Sequence, residues 1–355
     1  MPVLFGGFVD QRHLGLAVAG SIATSETTGL AIGSALALAL IAKFGLSERV
    51  ILAASLVTSA AAQIQTAISS DVAILIAARM ISGISTSLIQ STAIAWISRQ
   101  ASPQRSLAIF VSMAFLAGAI GIPLFTFTLQ TFGLSGTFLT FAGLLLAVIM
   151  MVPLVPRTNV STAQVPRVDQ YLIHGSPINA RQWPLLLAIS LNFLVNSGLW
   201  IYLERIGQWG GIAATPLATI LGFGMFAAMG GTIALGIAGH RVKAVRVIML
   251  AHLMLIGSSI VFFSVGSWAP FASAVAIFNI GVALLPPTLL AILAKMDPSG
   301  KSSLQGLTAI NVGYAIGPQA YSWMMTSLGL TVSLAATIAV FAVSLTLCTR
   351  GLRAV

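Results

Sequence analysis

Long apolar runs, separated by short polar breaks, dominate this chain. They fall at about 14–42, 50–68, 72–97, 106–130, 134–155, 184–208, 212–239, 246–266, 270–294, 304–327 and 329–348. About 20 apolar residues are enough to cross a bilayer as a helix, so the pattern predicts eleven full membrane-spanning helices. A twelfth run, residues 2–9, is too short to cross alone and ends at Asp10, Gln11, Arg12 and His13. One long polar stretch, Arg157 to Arg181, divides the runs into two groups. The expected division is an N-terminal bundle at 1–155, a linker at 156–183 and a C-terminal bundle at 184–355.

The composition agrees. The 355 residues are 57% hydrophobic and only 7% charged, with a mean hydropathy of +1.00. Water cannot solvate most of such a surface, which makes the lipid bilayer the expected solvent. The formal net charge of +10 does not indicate nucleic acid, because the basic residues are scattered over short loops rather than gathered in one patch. The single cysteine, Cys348, excludes an internal disulfide framework. The first residues carry no basic region or small-residue cleavage site.

Charge also orients the chain. With residues 2–9 numbered as the first span, the loops after even-numbered spans and the C-terminal tail hold 14 of the 17 Lys and Arg, among them Lys43, Arg49, Arg99, Arg105, Arg157, Arg241, Lys243, Arg246 and Arg350. The positive-inside rule then places the linker and the C-terminus in the cytoplasm. The expected location is a plasma membrane, specifically a bacterial inner membrane.

The two groups repeat. Arg49-Val50-Ile51 is echoed by Arg246-Val247-Ile248, Gly33 by Gly230, and Ser106-Leu107 by Ser303-Leu304, each 197 positions on; Gly121 is echoed by Gly317 at 196. Parallel repeats of six spans are one plan of secondary transporters. The partner of Pro184 would fall at position −13, so the first helix is expected to be incomplete, with about a dozen of its residues absent.

Several motifs resemble the major facilitator superfamily. Arg79-Met80-Ile81-Ser82-Gly83 resembles its fourth-helix motif, an Arg followed four residues later by Gly. Gly313-Tyr314-Ala315-Ile316-Gly317-Pro318 resembles its Gly-xxx-Gly-Pro pattern, and Gly118-Ala119-Ile120-Gly121-Ile122-Pro123 is a looser version. The signature between the second and third helices is degenerate, reading Ala42-Lys43-Phe44-Gly45-Leu46-Ser47-Glu48-Arg49. The resemblance implies an all-α integral membrane fold of two pseudo-symmetric six-helix bundles, alternating access, and a cavity lined by spans one, four, seven and ten.

Ionisable groups inside a span are costly and mark function. Glu26 and Arg79 fall within spans and are the expected proton-coupling residues. The alternative is structural: Glu26 in an ion pair or as a hydrogen-bonded carboxyl, with Arg79 within reach as its partner, and Arg79 tying helices together through backbone carbonyls. In the family resembled, the Arg79 motif is linked to proton transfer. Asn192, Asn196 and Trp200 follow one another at intervals of four on the seventh span. With Asn279 and Tyr314 they are the expected substrate-binding groups. The alternative for the amides is interhelical hydrogen bonding. Glu204 and Arg205 are expected either as an outer gate or as an exposed ion pair within an aromatic belt with Tyr202 and Trp209. Asp10 is expected to be solvated, and His252 to be a satisfied histidine.

No phosphate-binding loop, metal-ligand spacing or catalytic constellation is present in the sequence. No enzyme activity, cofactor or metal is therefore expected. The expected function is secondary transport of a small organic solute, with protons as the coupling ion. The competing expectation is a non-transporting membrane sensor or scaffold, or an inactive truncated member of the fold.

Overall fold

The computed structural model describes residues 2–42, 46–97, 103–155, 182–238, 241–264, 266–296 and 301–353. Among these residues the regular structure is all helix. The helices are α1 (Pro2–Gln11), α2 (Leu16–Ala42), α3 (Glu48–Ile68), α4 (Val72–Ile97), α5 (Pro103–Ile149), α6 (Trp183–Trp209), α7 (Ala214–Ala238), α8 (Ala244–Val261), α9 (Trp268–Met296) and α10 (Lys301–Arg353). Among the described residues, eight helices are long and apolar enough to cross a membrane. Of the expected linker at 156–183, residues 156–181, with Arg157, Arg167 and Arg181, lie outside the described residues, as do Lys43 and Arg99.

Two helices are too long for one crossing. α5 has 47 residues and α10 has 53. At about 1.5 Å per residue they would run about 70–80 Å, against a hydrocarbon core of about 30 Å. Each is broken at one glycine: Gly133 at φ 68°, ψ −178°, and Gly329 at φ 78°, ψ 175°. That region is essentially closed to side chains with a Cβ. The chain folds back at both places. Phe125 and Phe141, eight residues either side of Gly133, have ring centroids 4.2 Å apart. Tyr321 and Thr337, eight residues either side of Gly329, are hydrogen-bonded at 3.4 Å. Polar side chains support the first break: the Gln11 carbonyl accepts from the Leu134 amide at 2.6 Å, and its NH2 group donates to the Leu129 carbonyl at 3.3 Å.

The packing repeats with the sequence. α2 packs on α4, and α7 on α9; α3 on α4 and α5, and α8 on α9 and α10; α1 on α5, and α6 on α10. Moving every element on by half the chain converts each contact into its counterpart. The two groups then meet through α2 with α10 and α5 with α7, a pair that this operation exchanges. α1 also packs on α6.

Outward-facing side chains such as Phe127, Leu144, Phe223 and Leu253 are apolar and exposed, as lipid contact requires. Exposed Trp183, Trp209 and Trp268 lie at helix ends, and exposed Trp323 six residues before the Gly329 break, where indole rings anchor at the membrane–water boundary.

Candidate functional site

α2 and α4 approach closely because small residues line their contact. A Cβ on Gly83 would collide with the Glu26 carbonyl oxygen, and one on Gly29 or Gly33 would collide with the Met80 or Ile84 carbonyl. Backbones this close bring the two ionisable side chains into reach. Arg79 donates through Nη2 to Glu26 Oε1 in an ion pair. Arg79 is 2% exposed and the Glu26 side chain 14%. The pair expected from the sequence is therefore formed.

Two further groups, absent from the sequence reading, complete the Arg79 environment. Gln63 on α3 accepts from Arg79 Nη1 at 2.8 Å, and its Nε2 donates to Ser82 Oγ at 3.0 Å. Phe138, on the second arm of α5, places its ring centroid 5.3 Å from the guanidinium carbon, within cation–π range. Four elements thus hold one cation. Beside it lies a cavity of about 20 Å³ lined by Leu4, Phe5, Phe8, Ile22, Glu26 and Arg79, room for about one water.

The expected substrate groups separate. Asn192 Nδ2 lies 3.3 Å from His252 Nε2. His252 Nδ1 faces the Ile248 carbonyl at 2.8 Å, so Nδ1 carries the proton and Nε2 accepts from Asn192. Ser344 Oγ lies 3.1 Å from the same nitrogen and donates to the Ala188 carbonyl at 3.1 Å. Asn192 thus links α6 to α8, and Ser344 ties the second arm of α10 to the same spot. His252 is fully buried and satisfied. Asn196, one turn on, instead has Tyr314 as its side-chain partner. Tyr314 is only half-buried, as is Trp200, and stacks on Phe193 at 5.2 Å. Asn279 donates back to the Val275 carbonyl at 2.8 Å and packs against Gly224. The tight face that carries Tyr314 forms because Gly313 and Gly317 lie directly on Ser190, Leu194 and Ser197 of α6.

Glu204 and Arg205 are not an exposed pair. They are 6% and 9% exposed, and Tyr202 is fully buried; Trp209 alone of that group is exposed. The short α1 covers them. Arg205 Nη2 pairs with Asp10 Oδ1 at 2.7 Å and donates to the Gly6 carbonyl at 3.0 Å, while Nη1 donates to Gln208 at 2.9 Å. Asp10 is therefore an ion-pair partner rather than a merely solvated acid. Glu204 accepts from Gln208 at 3.3 Å and packs against Gly6, and Phe5 stacks on Tyr202 at 4.8 Å.

Sequence reasoning gave Arg12 no role. With His13 at φ 53° turning the chain, the Arg12 guanidinium donates to the carbonyls of Thr66, Ala67 and Ser69 at the end of α3, and to Ser135. It satisfies carbonyls that no helical amide can reach. Burial pulls its pKa down from the ordinary arginine value.

Links between the two groups of helices run from this end to mid-bundle. Ser21 donates to Gln319 at 2.8 Å, Gln130 to Thr215 at 3.4 Å, and Asn311 to Ser34 at 3.3 Å. Among the described residues no three His, Cys, Asp or Glu side chains are grouped to hold a metal ion.

The family model described as Major Facilitator Superfamily matches residues 1–318. No curated protein matches the chain by sequence. Among solved structures, a point mutant of the nucleoside transporter NupG is similar at 13% identity and a TM-score of 0.79, covering 99% of this chain and 94% of that one. NupG without that mutation gives 12% and 0.73, covering 99% and 93%. The human organic anion transporter MFSD10 (TETRAN) gives 18% and 0.61, covering 97% and 84%. At these identities the likeness is one of fold.

Proposed function

The chain belongs to the Major Facilitator Superfamily, and from that premise we propose that it is a proton-coupled secondary transporter of a small organic solute. The observation that carries the proposal is the Glu26–Arg79 ion pair, buried between adjoining helices beside a water-sized cavity. A carboxylate there is stabilised by one cation and loses that stabilisation when protonated. Taking up or losing a proton at Glu26 therefore changes how firmly α2 and α4 are held together.

We read the eight membrane-length helices, with the arms of α5 and α10 counted separately and α2 added, as eleven full spans beside the short α1. We assign α1–α5 to one bundle and α6–α10 to the other, with the C-terminus in the cytoplasm of a bacterial inner membrane. The links through Asp10–Arg205, Ser21–Gln319 and Gln130–Thr215 would close the outer end, so the conformation is read as facing inward. Glu204 and Arg205 act in the outer gate, and transport requires Arg205 to leave Asp10 and Gly6. Asn196, Trp200 and Tyr314 are the proposed substrate contacts, because Tyr314 and Trp200 keep exposed surface beside Asn196. Asn192 and Asn279 serve helix packing. Sparse charge around these groups favours a neutral or weakly charged solute.

The test is proton flux in proteoliposomes containing a pH dye, challenged with nucleosides, aromatic acids, aliphatic carboxylates, sugars and hydrophobic cations. Flux evoked by one class, and lost in Glu26→Gln, is expected. Equal flux in Glu26→Gln and wild type across pH would remove Glu26 from the mechanism. Silence from folded wild-type protein toward every class would favour the non-transporting alternative.

A further inference from the structure

We infer that Gln63 is a positioning residue that sets the proton affinity of Glu26 by holding one side of Arg79. The inference rests on the reading of Glu26 as the proton site and deepens it.

Arg79 presents two terminal nitrogens to two acceptors on two helices: Nη2 to Glu26 on α2 and Nη1 to Gln63 on α3. The guanidinium has donors and no acceptor, so the Gln63 atom facing it must be the amide oxygen. The amide nitrogen is turned to Ser82 Oγ at 3.0 Å, and that second bond fixes the amide's orientation. Gln63 and Ser82 are both buried, so water cannot take over either bond. Phe138 covers the guanidinium from a third direction.

This arrangement has a chemical consequence. An arginine fork can bind a carboxylate with two parallel hydrogen bonds. Here one arm of the fork is engaged by a neutral oxygen, and Glu26 receives the other. Gln63 also remains an acceptor when Glu26 is protonated. The cation then keeps a partner and stays at the height of the acid, ready to receive the carboxylate again. Without Gln63, Arg79 would follow Glu26 alone.

The surroundings make the pair electrically simple. α4 brings Arg79 to Glu26, while α1 brings Leu4, Phe5 and Phe8, none of them charged. α3 brings Gln63 and α5 brings Phe138. Asp10 and Glu204 meet α6 and Gly6 on another face of α1.

The test needs no substrate. Infrared difference spectra of the full-length protein in lipid, titrated with pH, follow the protonated-carboxyl band that disappears in Glu26→Gln. Gln63→Leu frees the second arm of Arg79 for Glu26, so the band's midpoint should move about one pH unit to acid, a tenfold change in proton concentration. Gln63→Glu supplies a competing anion, and the midpoint should move about as far to alkaline. A purely structural role for Gln63 leaves the Gln63→Leu midpoint in place, whereas like-charge repulsion raises the Gln63→Glu midpoint in either case. A Gln63→Leu midpoint that is unchanged or moved to alkaline overturns the inference while leaving Glu26 as the proton site. A wild-type spectrum with no Glu26-dependent band overturns the proton-site reading, and this inference with it. If Gln63→Leu does not fold, Gln63→Ala takes its place, and the presence or absence of its acid shift decides.

Discussion

Gly83 lies directly against the backbone carbonyl of Glu26, one turn beyond the Arg79 that pairs with the Glu26 side chain. The close approach and the ion pair are two aspects of one contact. Gly83→Ala should therefore push α2 off α4, with a cost of about 1–3 kcal/mol typical of overpacking. Gly143→Ala, at a position with open space around it, should leave stability unchanged or raise it slightly through helix propensity. Thermal unfolding of the two variants in one detergent tests the contrast, and equal losses would sink it.

Breaking the Glu26–Arg79 pair from either side leaves a buried charge without its counter-charge. Glu26→Ala strands a guanidinium that cannot shed its charge, at a cost of about 3–5 kcal/mol. The double variant Glu26→Ala, Arg79→Leu removes both charges and should recover most of that loss. A double-mutant cycle in denaturant measures the coupling; strict additivity would show that the two residues are energetically independent.

Arg12 should matter more than its place in a turn suggests. Replacing it with Ala leaves the carbonyls of Thr66, Ala67 and Ser69 without their donor, a loss of about 2 kcal/mol for charge-assisted bonds. Arg12→Lys should recover little, because an ammonium cannot match a planar fork spread over several acceptors. Hydrogen exchange at the end of α3 would report the fraying directly.

Asn192 and Asn196 should separate by phenotype. Asn192→Leu opens the bond to buried His252 and should lower the melting temperature with little effect on solute affinity. Asn196→Leu alters the neighbour of half-buried Tyr314 and should weaken solute binding with little effect on melting. The reverse pattern would exchange their assignments.

The sequence carried the parts of this molecule that depend on distance along the chain. Hydropathy located the spans, and the small residue four places after Arg79 announced a close helix contact. Two charges inside apolar runs announced a pair, since neither could be buried alone. Helix rotation was not legible. Asn192 and Asn196 share a helical face by spacing, yet a few tens of degrees turn one towards α8 and the other towards α10. Gln63 gave no signal, because a lone glutamine in a span reads like any other polar residue until its partner is in view. Asp10 and Arg205 are 195 positions apart, and only the docking of α1 on α6 joins them.

Gly133 and Gly329 stand 196 positions apart, and so do the pairs that close around them, Phe125–Phe141 and Tyr321–Thr337. The same turn has been written twice. At each place the reversal passes through a backbone conformation that only glycine adopts readily. A side chain there would not lengthen the helix beyond what the bilayer admits; it would force the reversal to be made elsewhere, and the paired rings and hydroxyls that now face each other across it would fall out of register.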